Sequence, residues 1–199
     1  APVSAPTRWR LSGNELLLAT LAGLVWSLYN QPALLIQGFA PAFLAERGTD
    51  AAGAGALISL STWTFLPAML AGGWLGQKMG RPDLMIVGTC LALALLMVAL
   101  PVAGPAAIPV LFALAGVLTG APTGVVMALP AELLKPSARA IGMGVFYTWH
   151  YIGMAATPAA AGWLRDRTGS DDAPFLFGAA LVLAAVAALV LARVAQRRG

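Results

Sequence analysis

Gly73-Trp74-Leu75-Gly76-Gln77-Lys78-Met79-Gly80-Arg81-Pro82 is a short polar hinge between two long apolar runs. Lys78 and Arg81 fall within four positions of one another. Gly73, Gly76 and Gly80 let the flanking helices turn back sharply and pack closely. In a membrane protein such a cluster of Lys and Arg marks a cytoplasmic loop. The rest of the chain is placed by counting outward from it.

Of 199 residues, 59% are hydrophobic and 10% charged, and the mean hydropathy is +0.81. Soluble domains average about 25% charged residues, so the chain reads as an all-α polytopic integral membrane protein. The 22 glycines and 14 prolines fit membrane helices, which tolerate both. The net charge of +4 is not gathered into a groove-binding patch, so no nucleic-acid partner is expected. Cys90, the single cysteine, excludes an intramolecular disulfide. Ala1 to Trp9 is polar and Pro-rich, unlike a signal peptide. The missing initiator Met suits a processed or excised segment.

A span needs about 20 apolar residues. Six candidates run Leu16–Leu44, Ala52–Gly76, Leu84–Leu100, Ala107–Pro130, Ala138–Leu164 and Phe175–Ala192. The first is broken by Pro32 and Pro41, and Pro67 interrupts the second. Residues 1–13 form a cytoplasmic tail or linker, and 14–199 the six-helix bundle. With six spans both termini share one side. That side carries Arg8, Arg10, Lys78, Arg81, Lys135, Arg139, Arg193, Arg197 and Arg198, nine basic residues; the other carries three, Arg47, Arg165 and Arg167. The positive-inside rule puts both termini in the cytoplasm, and the expected location is a plasma membrane, the inner membrane of a bacterium.

Helices three and six are almost uniformly apolar, as lipid-facing helices are. Helices one, two, four and five hold the polar, aromatic and Pro residues. Two polar helices then one plain, repeated, is the pattern of a three-plus-three internal repeat whose polar helices line a cavity. Ser27, Asn30, Gln31 and Gln37 form one stripe on helix one, beside Pro32. They read either as a solute contact at a hinge or as amides that glue the bundle. Ser59, Thr62 and Trp63 form a stripe on helix two. Tyr147, His150, Tyr151 and Met154 do so on helix five. His150 is the only histidine, and an ionisable residue within a membrane points to function. It reads as a proton-coupling or solute-orienting group, or as a neutral histidine bonded to Tyr or a carbonyl. Gly116, Gly120 and Gly124 make a close-packing ridge on helix four.

Three motifs resemble the major facilitator superfamily. Gly73-x-Leu75-Gly76-Gln77-Lys78-x-Gly80-Arg81 resembles its loop motif Gly-x-Leu-x-Asp-Arg-x-Gly-Arg-(Arg/Lys). Pro130-Ala131-Glu132-x-x-Lys135-Pro136-x-x-Arg139-x-x-Gly142-x-Gly144 resembles the cytoplasmic loop between helices four and five of a half. Gly153-x4-Pro158-x3-Gly162-x-Leu164-x-Asp166-x-x-Gly169 resembles the exit of the fifth helix. The resemblance implies one six-helix half of a twelve-helix fold, the C-terminal one. It also implies a cytoplasmic gate built from Gly73, Gly76, Gln77, Lys78, Gly80, Arg81, Glu132 and Arg139. Gln77 and Pro82 depart from the pattern. The family's Asp latches the gate against the start of the fifth helix, here near Ser137, which reads as its N-cap. Gln77 hydrogen-bonds there but forgoes the helix-end charge interaction, worth about 0.3–1 kcal/mol.

No Gly-x-Ser-x-Gly or His-Glu-x-x-His occurs, and one His and one Cys make no metal cluster, so no enzyme, metal or cofactor is expected. The expectation is secondary transport of a small solute by alternating access. Asn30, Gln31, Ser59, Thr62, Trp63, Tyr147, His150 and Tyr151 are its candidate contacts. The partners are the solute, a coupling proton or ion, the lipid bilayer, and the other six-helix half, in the same chain or a second copy. The alternative is a non-transporting six-helix scaffold or assembly partner.

Overall fold

A computed structural model describes residues 10–198, the side chain of Gln77 excepted. Arg8, counted above among the basic residues, lies outside them. Local chemistry sets the helix ends. Ser12 opens α1 (Gly13–Glu46) with a capping box: its hydroxyl accepts from the Glu15 amide, and the Glu15 carboxylate accepts from the Ser12 amide. Asp50 opens α2 (Ala51–Met79) by accepting from the Gly53 amide at 2.8 Å. Gly80, at φ 61°, closes α2 in the left-handed conformation that favours glycine. Pro82 starts α3 (Pro82–Ala99) at a position that needs no N–H. A 3-10 turn at Leu100–Val102 leads to α4 (Ile108–Gly120) and α5 (Thr123–Leu133). Then come α6 (Arg139–Thr168), closed by Gly169 at φ 64°, and α7 (Ala173–Arg198).

Three expectations are corrected. Pro32 and Pro41 do not break α1, which runs unbroken for 34 residues; neighbouring helices support the turns that lose a hydrogen bond. The fourth run is two helices, split at Ala121 and Pro122, although Ile108–Leu133 remains one apolar rod. Ser137 does not cap α6, because it sits inside the 3-10 turn started by Pro136, and the N-cap falls to Ala138 without a side-chain bond.

Among the described residues the helices form six rods that alternate in direction. At one end Arg193 of α7 bonds Asp83 of α3 and Glu132 of α5. At the other Arg47, just past α1, bonds the Pro101 carbonyl at 2.7 Å and pairs with Asp172 at 3.6 Å. Four rods are long and apolar enough to cross a membrane: Ala51–Gly76, Pro82–Val102, Ile108–Leu133 and Ala173–Arg198. α1 and α6 have the length but carry Asn30, Gln31, Gln37 and His150 along them.

α1 packs against α6 and α7, α2 against α4, and α3 against α7. The apolar α3 and α7 are not merely peripheral. Ile86, Cys90 and Leu93 of α3 and Val182, Ala185 and Leu189 of α7 share one core, while Leu95 and Leu191 face outward. The most exposed apolar rod is instead α2, with 11% of its most apolar stretch buried. Trp63, Leu70 and Trp74 stand out from it, as Tyr151 and Trp163 do from α6. Exposed apolar surface of this extent belongs against lipid or another protein.

Two members of the glycine ridge pack closely, while a Cβ at Gly124 would make only an ordinary contact, 3.6 Å from Gly73 Cα. A Cβ at Gly116 would strike the Ser61 carbonyl and Thr64, and one at Gly120 the Phe65 carbonyl. Thr64 also donates to the Ala113 carbonyl at 2.9 Å, joining α2 to α4. Two apolar cores stack along the bundle. One takes α1 residues up to Tyr29 and the other resumes at Leu35. The polar stretch between them, at Asn30 and Gln31, falls half-way along α1.

Candidate functional site

Two glycines fix the α1–α6 crossing. A Cβ at Gly23 would lie 2.9 Å from the Phe146 carbonyl, and one at Gly153 would overlap the Ser27 hydroxyl and lie 2.9 Å from Gln31 Nε2. The absent side chains let the backbones approach, which is how small residues serve membrane helices. The approach presses Gln31 against α6.

Gln31 Nε2 donates to the Ser27 carbonyl at 2.7 Å, within its own helix. Its Oε1 has no hydrogen-bond partner, nor have His150 Nδ1 and Trp26 Nε1. Gln31 is therefore not the interhelical glue that was the alternative reading, and no tyrosine or carbonyl holds Nδ1 of His150. The His150 ring centre lies 5.2 Å from that of Trp26 and 5.5 Å from that of Tyr151. A buried polar atom left unpaired costs about 1–3 kcal/mol. Three of them along one seam make a place suited to exchange hydrogen bonds with a polar guest.

The seam opens into a pocket of about 200 Å³ lined by Asn30, Gln31, Ala33, Leu34, Gln37, His150 and Met154. No Asp, Glu, Lys or Arg lines it, so it offers amides, an imidazole and a thioether. Its volume is below the roughly 300–1,000 Å³ of sites for drug-sized ligands. It suits a small uncharged or weakly charged group, or one wall of a larger site.

Of the eight expected contacts, the pocket brings together Asn30, Gln31 and His150. Tyr147 and Tyr151 run outward from it along α6, their ring centres 6.4 Å apart, with Tyr151 exposed. Ser59, Thr62 and Trp63 lie on the exposed side of α2 and do not line it. Trp26 was missed. Its spacing from Asn30 put it on the same face of α1, but a Trp among Leu and Val reads as packing.

At the Arg193 end, Gly73, Gly76, Gly80 and Glu132 line one cleft of about 340 Å³ between α2 and α5, with Pro82 and Gly124. Arg193 grips Asp83 through Nε at 2.8 Å and Nη2 at 2.6 Å, and Glu132 through Nη2 at 2.9 Å. Gln196 donates to the Glu132 carbonyl. Arg139 donates to the carbonyls of Ala131 and Leu134 at 2.7 and 3.3 Å, capping the end of α5. Lys78 lies 4.8 Å above the Trp74 ring, and Arg81 is exposed. The side chain of Gln77 lies outside the described residues. The pairing of Asp83 with Arg193 was not anticipated: an acid in a first helical turn reads as an ordinary partner of the helix dipole, and Arg193 counted only among the basic residues of its side.

Among the described residues these features define an all-helical integral membrane protein with an open polar pocket half-way along two crossing helices, its rim at exposed Gln37 and Met154. The family model described as Major Facilitator Superfamily matches residues 16–198, and the chain belongs to that superfamily of membrane transporters. It is a family of carriers for small solutes in the lipid bilayer and not of enzymes. No curated protein matches the chain.

Proposed function

We propose that this chain is one six-helix half of a secondary active transporter that moves a small solute by alternating access. All six rods cross the membrane, and both ends of the bundle's chain lie in the cytoplasm of a bacterial cell. The pocket carries the proposal. Gln31 and His150, each with a buried polar atom that lacks a protein partner, line one cavity, and Asn30 and Gln37 extend its polar wall. His150 either orients the solute or carries the coupling proton.

One pair of contacts follows a three-plus-three repeat: exchanging the first three rods for the last three exchanges the α1–α6 pair for the α4–α2 pair, and both are close, whereas the close α1–α7 pair has a looser counterpart between α3 and α4. Charge supports the orientation: Lys78, Arg81, Lys135, Arg139, Arg193, Arg197 and Arg198 gather at the Arg193 end, while Glu46, Asp50, Asp166, Asp171 and Asp172 lie at the other. The cleft at Gly73, Gly76, Gly80 and Glu132 is the moving cytoplasmic gate, with Gln77, Lys78, Arg81 and Arg139 around it. The exposed face of α2, with Ser59, Thr62 and Trp63, meets the other half, and Tyr147 and Tyr151 widen the solute site toward it.

The test is solute protection. Asn30→Cys in a Cys90→Ala background is labelled with a small thiol reagent while small polar solutes are offered in turn. A transporter gives labelling that some solutes slow, with the protection lost on adding Gln31→Ala. A scaffold gives no solute-dependent labelling.

A further inference from the structure

A groove of about 490 Å³ lies on the outer surface between α1 and α7, apart from the solute pocket and the gate. Leu17 and Leu21 form one wall, Leu191 and Val194 the other, and Asn14 and Arg198 stand at its mouth. The two helices run antiparallel here, with Asn14 opposite Arg198 and Leu21 opposite Leu191. Seven residue steps along each helix, at about 1.5 Å per step, make a slot roughly 10 Å deep. Leu17, Leu191 and Val194 are exposed, although nothing polar shares their wall below the mouth.

The mouth is cationic. Arg197 and Arg198 end α7, and exposed Arg10 lies three residues before α1. The nearby carboxylate of Glu15 caps Ser12, and Arg193 is held by Asp83 and Glu132. Asn14 adds an amide beside the first turn of α1, whose end favours anions. An apolar slot that opens at a basic helix end, at the level where a membrane's phosphates lie, matches a lipid's acyl chain joined to a phosphate.

We propose that this groove binds one anionic glycerophospholipid. An acyl chain lies between Leu17, Leu21, Leu191 and Val194, and the phosphate meets Arg198 and Asn14. The site is separate from the solute pocket, and it rests on the membrane placement alone. A second copy of the chain docked here would have to bury the same arginines without a counter-charge, which disfavours it.

The experiment is native mass spectrometry of the detergent-solubilised chain, offered phosphatidylglycerol and phosphatidylcholine of equal acyl length and equal concentration. The expected result is one phosphatidylglycerol retained in preference to phosphatidylcholine. Arg197→Gln with Arg198→Gln lowers that preference by roughly fivefold for each arginine. Leu191→Trp fills the slot and removes the retained lipid, with helical content unchanged by circular dichroism. Leu17→Trp, from the opposite wall, repeats the test should Leu191→Trp fail to fold. Equal retention of the two lipids by the wild-type chain overturns the proposal, and so does a folded Trp variant that keeps phosphatidylglycerol. Displacement of the lipid by inorganic phosphate alone also overturns it, since the acyl chain would then contribute nothing.

Discussion

Gly153→Ala isolates the crossing on which the pocket depends. The added Cβ would overlap the Ser27 hydroxyl and approach Gln31 Nε2 to 2.9 Å and Ser27 Cβ to 3.3 Å. Ser27 is buried and Gln31 is nearly inaccessible, so neither yields without moving α1. Overpacking of this kind costs about 1–3 kcal/mol. Alanine in place of glycine in a helix interior returns about 0.8–1 kcal/mol. The net expectation is a loss of about 0–2 kcal/mol. Gly144→Ala supplies the reference, because a Cβ there meets nothing within 4 Å on the same helix. It should gain the propensity term alone, so the two variants should differ by about 1–3 kcal/mol, the overlap itself. Reversible unfolding in mixed micelles, followed by circular dichroism, measures the difference. Gly153→Ala should also alter the rate of thiol labelling at position 30, because α1 is pushed away from His150. Equal stabilities together with unchanged labelling would refute the close crossing and the pocket built on it.

Other consequences are simpler to check. Gly120→Ala should destabilise by about 0–2 kcal/mol net in the same assay, since its Cβ would strike the Phe65 carbonyl and lie 3.1 Å from Ala68 while alanine returns the propensity gain. Arg193→Gln should cost about 1 kcal/mol, because partly exposed pairs contribute about 0.2–1 kcal/mol each; a double-mutant cycle with Asp83→Asn should show coupling, and strict additivity would contradict the shared grip. Trp26→Phe keeps the ring beside His150 but removes Nε1–H, so it should leave stability nearly unchanged while weakening solute protection at position 30. Asp171 is held below the usual carboxylate range by its hydrogen bond with Glu46 and then by Arg165. Its contribution is full above its unfolded pKa and lost as pH falls through the folded one, so wild type and Asp171→Asn should converge in melting temperature in acid and separate near neutrality. Glu46 is raised, chiefly by the same hydrogen bond, so its contribution has the opposite sign, present in acid and lost as pH rises through its folded value.

The rods were legible in the sequence because apolar length and polar punctuation are local properties. The hinge from Gly73 to Pro82 contains both the glycine that ends α2 and the proline that starts α3. Continuity through Pro32 was not legible, because it depends on support from neighbouring helices. Ser137 misled because a cap preference says nothing of the 3-10 turn that Pro136 initiates one residue earlier. Within the site, the stripe of Asn30 and Gln31 and the stripe containing His150 were each visible from helical spacing. Their meeting was not: it depends on Gly23 and Gly153, which in sequence look like any other glycines of a membrane helix. Asp83 and Arg193 lie 110 positions apart, and spacing alone cannot pair them.

Alternating access requires that water reach the polar pocket between α1 and α6 from each side of the membrane in turn. The most direct measurement is labelling of His150→Cys in the Cys90→Ala background, in oriented vesicles, with a charged, membrane-impermeant thiol reagent added to one face at a time. Reaction is expected from each face separately; absence of reaction from both faces would contradict access to the pocket from alternate sides.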